Sequence, residues 1–440
     1  MNVMKFGGTS VGSAARIKEV ARLVSSRGGN IIVLSAMSGT TNTLVEISDY
    51  LYKKNVDGAK EIINQLELKY QQVIAELFST EEAAEQARRE IKEIFAYIRS
   101  LSKDIFTLFE EREILAQGEM MSTRLMNIYL HEQGVGSVLI PALDFMRTDK
   151  NSEPDTQFIR THLLELLEKN PDAQLYITQG YICRNAYGEV DNLQRGGSDY
   201  TASLIGAAVN ADEIEIWTDI DGMHNNDPRY VEGTSPVAEL HFEEAAELAY
   251  FGAKILHPTC VLPAKLNNIP VRLLNTMQPE ARGTVIYNCS PTHTIKAVAA
   301  KDNITAIKIK SGRMLLAYGF LRKVFEIFET YQTSIDMIAT SEVGVSVTID
   351  NTRNLHLILD DLKKFGTVTV DHDMAIICVV GDVEWHNCGF ETRVLDAMTN
   401  IPVRMISYGG SNYNISLLVR QSDKIAALNS LQKSLFGERK

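Results

Sequence analysis

The chain is poor in cysteine, and none of its five (Cys183, Cys260, Cys289, Cys378, Cys388) stands in a CxxC pair. That odd, scattered set argues against a disulfide framework or a structural zinc site and reads as reduced thiols packed inside the fold. No apolar run approaches the ~18 residues of a membrane-spanning helix, and a glycine turn breaks up any apolar signal region at the start. No block of like charges stands out: 44 basic against 56 acidic residues give a formal net charge of −12. Without a basic stripe such a chain is a poor nucleic-acid binder. No histidine–carboxylate cluster suggests a metal centre, and no GxSxG elbow suggests acyl-enzyme chemistry. These absences predict a cytoplasmic protein with neither nucleic acid nor membrane as partner.

What is present is a globular composition, 45% apolar and 23% charged over 440 residues, enough for two or three domains. Residues 2–6 and 30–36 read as short buried strands. Ile17, Val20, Ala21 and Val24 lie between them at helical spacing. This strand–helix–strand unit implies a parallel sheet. Strand signals recur at 138–141, 175–179 and 213–218, with helices predicted at 156–169 and 200–209. The intervening region has little strand signal. Its polar–apolar segments 59–78 and 81–109 read as amphipathic helices of a solvated arm, about 45–115, and Gln117–Ser122 as the start of another helix. In parallel sheets ligands gather beyond the carboxyl ends of the strands. Gly7-Gly8, Ser35, Gly180 and Thr218-Asp219 each follow a predicted strand, so they are expected to meet on one edge.

Four motifs carry possible chemistry. Lys5-Phe6-Gly7-Gly8-Thr9-Ser10 sets an ammonium and bare backbone N–H groups before a helix, a combination suited to phosphate. It is not a Walker loop, because the lysine precedes the glycines. Arg195-Gly196-Gly197-Ser198-Asp199 is a second glycine pair entering a helix, with an arginine fork suited to a carboxylate. Asp199 could position the lysine or interact with a metal ion. Trp217-Thr218-Asp219-Ile220-Asp221-Gly222, followed by Asp227-Pro228-Arg229, ends a strand in polar groups that could hold a nucleotide. Phe251-Gly252-Ala253-Lys254-Ile255-Leu256-His257-Pro258 offers one more lysine. Taken singly, each reads as well as a turn, a helix cap or a solvated charge. Together, in one α/β domain, they favour phosphoryl transfer.

From about residue 295 a repeat appears. Strand 304–310, Gly319-Phe320 with a helix to 331, strands 335–339 and 343–349, and helix 355–365 are followed by strand 375–380, Gly389-Phe390 with a helix to 398, strands 403–407 and 414–419, and helix 424–436. This duplicated β-α-β-β-α pattern is ferredoxin-like. Each Gly-Phe helix start could receive an amino acid's carboxylate.

With these residues assembled, the chain resembles the aspartokinases of the amino acid kinase family. The likeness rests on KFGGTS (5–10), LSAMSGTTN (34–42), GEMMST (118–123), ITQG (177–180), RGGSDYTA (195–202), WTDIDG (217–222), DPR (227–229), FGAKILHP (251–258), GFL (319–321) and TSEV (340–343). It implies an α/β fold: an amino acid kinase (carbamate-kinase-like) three-layer sandwich with a largely parallel sheet over 1–290, plus two ferredoxin-like ACT domains. The first ACT domain would span 311–374 and the second 295–310 with 375–440. The implied activity is transfer of the γ-phosphoryl of ATP, with Mg2+, to the side-chain carboxylate of L-aspartate. Alternatives are another amino acid kinase, such as one acting on glutamate, or a non-catalytic amino-acid sensor.

The resemblance also implies residue roles. Lys5 and Asp199 are catalytic. Ser35, Thr41, Glu119, Tyr181, Arg195 and Ser198 bind aspartate, Glu119 at its amino group and Arg195 at its α-carboxylate. Lys5, Phe6, Gly7, Gly8, Thr218, Asp219, His224, Arg229, Lys254 and Ile255 line the ATP site. Met314, Gly319, Phe320, Leu321, Ser334, Ile335, Asp336, Thr340, Ser341, Glu342 and Val343 resemble the lysine site of lysine-sensitive relatives, which implies L-lysine as inhibitor and a homodimer or tetramer formed through the ACT domains. His224 stands where many relatives have tyrosine, Tyr181 where they have phenylalanine and Ala317 where they have serine.

Overall fold

The structure, a computed structural model, describes the 440-residue chain except residues 103–104, 194–195, 253–255, 291–293, 313–317 and 438–440. Two compact units form, Met1–Gly222 with Ile255–Asn288, and Met223–Lys254 with Cys289–Lys440.

In the first unit, strands neighbour one another in the order Ser137–Leu139, Leu175–Gln179, Asn30–Leu34, Val3–Phe6, Ile214–Thr218, Val271–Asn275, Thr284–Tyr287. All these pairings are parallel except the last. Residues 30–34 and 175–179 are buried throughout. Their largely apolar character follows from a sheet covered on both faces. Helix Ala14–Ser25 packs the expected Ile17, Val20, Ala21 and Val24 inward, and the Ser13 hydroxyl caps it at the Arg16 N–H.

The helical region differs from a solvated arm. Helices Thr40–Tyr52, Val56–Leu77, Glu81–Leu101 and Leu108–Glu132 share one apolar core with the sheet, running from Met4 and Phe6 through Tyr70 and Phe95 to Trp217. The expected helix 81–109 ends at Leu101, because a new one is capped at Thr107. There the Thr107 hydroxyl accepts from the Phe109 N–H, and the Glu110 carboxylate accepts from the Thr107 N–H. Gln117–Ser122 therefore lies in mid-helix, not at a helix start.

In the second unit an antiparallel sheet runs in the order Ile338–Ser341, Gly344–Ile349, Ile295–Lys310, Thr367–Gly381, Asn414–Arg420, Met405–Tyr408. The repeat is evident: Gly319 and Gly389, both at positive φ, each precede a helix that buries a phenylalanine, Phe320 or Phe390. The strand expected at 335–339 starts at Ile338, since the Thr348 hydroxyl takes the Met337 N–H from the ladder at 2.9 Å. Two cores line the sheet. Ile307 and Ile309 pack with Phe320, Val324, Phe328 and Ile358. Val298 packs with Ile377, Val394, Leu417 and Leu428. One long strand thus serves both modules, with register shifts between Lys301 and Ala306 and a left-handed Asn303 at the crossing point.

Residues 223–254 pack with this unit. The Asn226 amide donates to the Leu428 carbonyl at 3.0 Å, and His241 stacks on Tyr413. Their helix, Phe242–Tyr250, opens with a reciprocal cap between His241 and Glu244. Among the described residues no helix is long and apolar enough to cross a membrane.

Candidate active site

The parallel register brings the strand ends together as the sequence predicts. Phe6 is level with Leu34 and Trp217, and Leu34 with Gln179. The residues just beyond stay in step: the Ser35 N–H donates to the Phe6 carbonyl at 3.1 Å and the Gly180 N–H to Leu34 at 2.9 Å. The Gly7 N–H donates to Trp217 at 3.3 Å. It is therefore engaged by the sheet.

At this edge the Lys5 ammonium lies 2.6 Å from Asp199 Oδ1, with only 11% and 16% of the two side chains exposed. Strand Val3–Phe6, just ahead of the first glycine pair, supplies the lysine. The first turn of helix Gly197–Val209 supplies the aspartate. Two close approaches build the floor. A Cβ on Gly8 would come within 2.8 Å of the Ala36 carbonyl, and one on Gly180 within 2.3 Å of Ser198 Cβ, so both positions require glycine. Ser198 and Ser35 then share a hydroxyl–hydroxyl contact of 2.9 Å.

Behind Ser35, helix Leu108–Glu132 passes its GEMMST stretch. The Ser122 hydroxyl donates to the Ser35 carbonyl at 2.8 Å, and Glu119 Oε1 accepts from the Ala36 N–H at 3.2 Å. Glu119 is 3% exposed, and its Oε2 has no hydrogen-bond partner. Burial pushes its carboxyl up to about 8, against the opposing pull of that amide. The unpartnered oxygen is left able to accept from a donor that reaches it. Tyr181 stands close enough for Glu119 to add to its shift: burial first, then that charge, raises the phenol to about 12. Its backbone takes a left-handed φ of 67°, with its N–H donating to the Thr201 hydroxyl at 2.9 Å. Such a conformation is uncommon for a bulky residue. Thr41 lies half-buried in the first turn of helix Thr40–Tyr52.

Other expected positions fall differently. The Phe6 ring is fully buried and stacks on Trp217 at 5.8 Å, so this residue can meet a ligand only through its backbone. The Thr218 hydroxyl accepts from the Ile220 N–H at 3.1 Å, and Asp219 is exposed beside it. His224 and Arg229 belong to the second unit. There the His224 ring contacts the Thr234 hydroxyl at 3.0 Å, and Arg229 forks onto Asp227 at 2.6–3.2 Å within its own turn. Arg195, Lys254 and Ile255 lie outside the described residues. Ser122 and Thr201 carry positioning bonds that the sequence reading did not assign, although both sit inside the motifs it picked out.

The amino acid kinase family model matches residues 1–275. The chain belongs to the amino acid kinase family, among the aspartokinases. The ACT domain model matches residues 377–435. Lysine-sensitive aspartokinase 3 of Escherichia coli (strain K12) is 33% identical, covering 99% of both chains. Aspartokinase 1, chloroplastic, of Arabidopsis thaliana is 34% identical over 99% of this chain and 80% of its own. Among solved structures, E. coli aspartokinase III in complex with aspartate and ADP (R-state) matches with a TM-score of 0.85, at 33% identity over 99% of this chain and 100% of that one. The same enzyme in complex with lysine and aspartate (T-state) matches with a TM-score of 0.80, at 33% identity over 99% of each.

In this aspartokinase the residues resembling a lysine site gather on the first ACT module. Gly319, Phe320 and Leu321 open its helix, with Phe320 buried and Leu321 37% exposed. Ser334, Thr340, Ser341, Glu342 and Val343 are exposed, and Ile335 is half-buried. Met314 and Ala317 lie outside the described residues. Asp336 is already engaged. Its Oδ1 accepts from the Lys301 ammonium at 2.6 Å and the Tyr250 hydroxyl at 2.9 Å, while its buried Oδ2 has no partner. Burial raises its carboxyl above the usual range, and Lys301 pulls the other way.

Proposed function

We propose that the chain transfers the γ-phosphoryl of ATP to the side-chain carboxylate of L-aspartate, giving 4-phospho-L-aspartate. The observation that carries this reading is the Lys5–Asp199 pair at 2.6 Å, which joins the parallel strand ahead of one glycine pair to the helix opened by the other. A carboxylate nucleophile with a reference pKa of roughly 4 is ionised at neutral pH, so no general base is required. The difficulty is to bring two anions into line, and catalysis then rests on positioning and positive charge. Lys5 would screen the transferring phosphoryl, and Asp199 fixes where that ammonium points. Glu119 would receive the substrate's ammonium through its unpartnered oxygen. Arg195 would take its α-carboxylate, and Ser35, Thr41, Tyr181 and Ser198 would close the pocket. Gly8 on the first glycine loop, with Thr218 and Asp219 beyond the neighbouring strand, would hold ATP within the first unit; the resemblance assigns Phe6, Gly7, His224, Arg229, Lys254 and Ile255 to ATP as well.

Among the described residues no three metal-ligating side chains gather. Mg2+ would enter with the phosphates of ATP, the usual mode for this ion. The relative named for lysine sensitivity and the neighbour solved with lysine and aspartate support L-lysine as inhibitor, bound at the first ACT module. Pairing of ACT modules into a homodimer or tetramer, and a cytoplasmic location, belong to the same reading. ATP-dependent hydroxamate formation with aspartate and with glutamate tests the activity. Turnover with aspartate is expected, and turnover with glutamate alone, or with neither, would sink it. Light scattering during a lysine titration tests the assembly.

A further inference from the structure

Around Asp336 the second unit holds a cluster that is one cation short. Two carboxylates, Asp336 and Asp350, share one ammonium: Lys301 Nζ lies 2.6 Å from Asp336 Oδ1 and 2.9 Å from Asp350 Oδ2. The Lys301 ammonium also sits 4.5 Å from the centre of the Tyr250 ring, whose hydroxyl donates to the same Asp336 oxygen. Asp336 is 1% exposed at its side chain and Lys301 19%, whereas Asp350 is 41% exposed. So the deeper carboxylate has two donors on one oxygen and none on the other. Buried carboxylates normally have their oxygens satisfied. Lys301 stands where the strand pairing turns irregular, at residues 301–306.

We propose that Lys301 is a built-in competitor for the effector: an incoming ammonium group takes Asp336, Lys301 shifts its charge onto Asp350, and Tyr250 loses its acceptor. This rests on the reading of L-lysine as effector. Three features support the exchange. The spare Oδ2 gives the new ammonium a first contact before Lys301 has left. Asp350, nearer solvent, already holds the displaced ammonium in part, so no charge is stranded. The cluster's charge goes from −1 to neutral, which favours one added cation. Tyr250 ends helix Phe242–Tyr250, four positions before Lys254 in sequence. The exchange therefore alters a tether on the segment that leads to a residue assigned to ATP.

Opposite responses from two variants of the full chain test this. L-lysine is titrated by calorimetry and by its effect on the aspartate-dependent rate. Lys301→Met removes the competitor, and lysine binding should tighten about ten-fold, within the ordinary range of allosteric coupling. Asp350→Asn removes the site to which Lys301 retreats, and binding should weaken several-fold. The rate without lysine should stay near that of the unaltered protein in both. A purely structural role for the cluster would move the two in one direction. Unchanged or weaker binding in Lys301→Met, or unchanged or tighter binding in Asp350→Asn, overturns the proposal. If Lys301→Met does not fold, Asp350→Asn decides alone. Should the unaltered protein bind no lysine, the effector reading falls and takes this proposal with it. Binding that is present but insensitive to both variants refutes only the competitor.

Discussion

Among the described residues, two lysine–aspartate pairs 2.6 Å long are largely buried, and they stand in different surroundings. Lys5–Asp199 stands at the ends of parallel strands, among glycines that hold side chains back and close to hydroxyls and backbone amides. Lys301–Asp336 stands at an irregular point of an antiparallel strand, roofed by a tyrosine and flanked by a second carboxylate. On the proposed function, the lysine of the first pair serves an outside anion while the aspartate steadies it. In the second, the aspartate is the group with capacity to spare. An ion pair's length thus says little about its job; the neighbours decide which partner has an unmet need.

The comparison can be broken most severely at Lys5. Lys5→Ala should lower the rate about a thousand-fold, the scale of losing a preorganised charge at the transferring group, while circular dichroism shows the fold retained. A near-normal rate would mean that the first pair is structural. Next comes Glu119→Gln. Hydrogen bonds to charged groups are worth ~1.5–3 kcal/mol, so KM for aspartate should rise roughly 10- to 100-fold. In the free protein its carboxyl is raised from 4.5 to about 8. Burial therefore favours the neutral form, and that stability is fully present below pH 4.5 and is lost as pH rises toward 8. Thermal melts across that range should show a decline that Glu119→Gln flattens, and aspartate affinity should rise with pH as the carboxyl ionises. At the second pair, Asp336→Asn should raise the half-inhibiting lysine concentration about ten-fold with little change in the uninhibited rate; unaltered inhibition would detach that pair from sensing. The smallest effect is expected from Tyr181→Phe, under about two-fold in KM, as the phenol only adds a hydroxyl to a ring position.

Much of the first pair was legible in the sequence, because a parallel sheet turns strand ends into neighbours. Lys5, Ser35, Gly180 and Thr218 could be set on one edge from apolar runs followed by glycines and hydroxyls. Asp199 followed from a second glycine pair opening a helix. Glu119 was reachable only through resemblance, since a glutamate in mid-helix looks like any solvated one until the chain folds over it. The depth of the helical region was misread for a related reason: alternating polar and apolar segments show that a helix has two faces, not how much protein covers the apolar one. Lys301 left no signal. Its partners lie 35 and 49 positions along the chain, and it stands at an irregularity in strand pairing that is invisible to periodicity.

The strand Ile295–Lys310 lends its first half to one ACT core and its second half to the other. No cut along the chain separates these modules cleanly. A fragment of 311–374 alone would lose the central strand on which Val345, Val347 and Ile349 are registered, and with it Ile307 and Ile309 from its core. The two modules are therefore expected to melt as a single cooperative piece. A lesion in one, such as a charge placed at Ile307, should register in the amide exchange of the other.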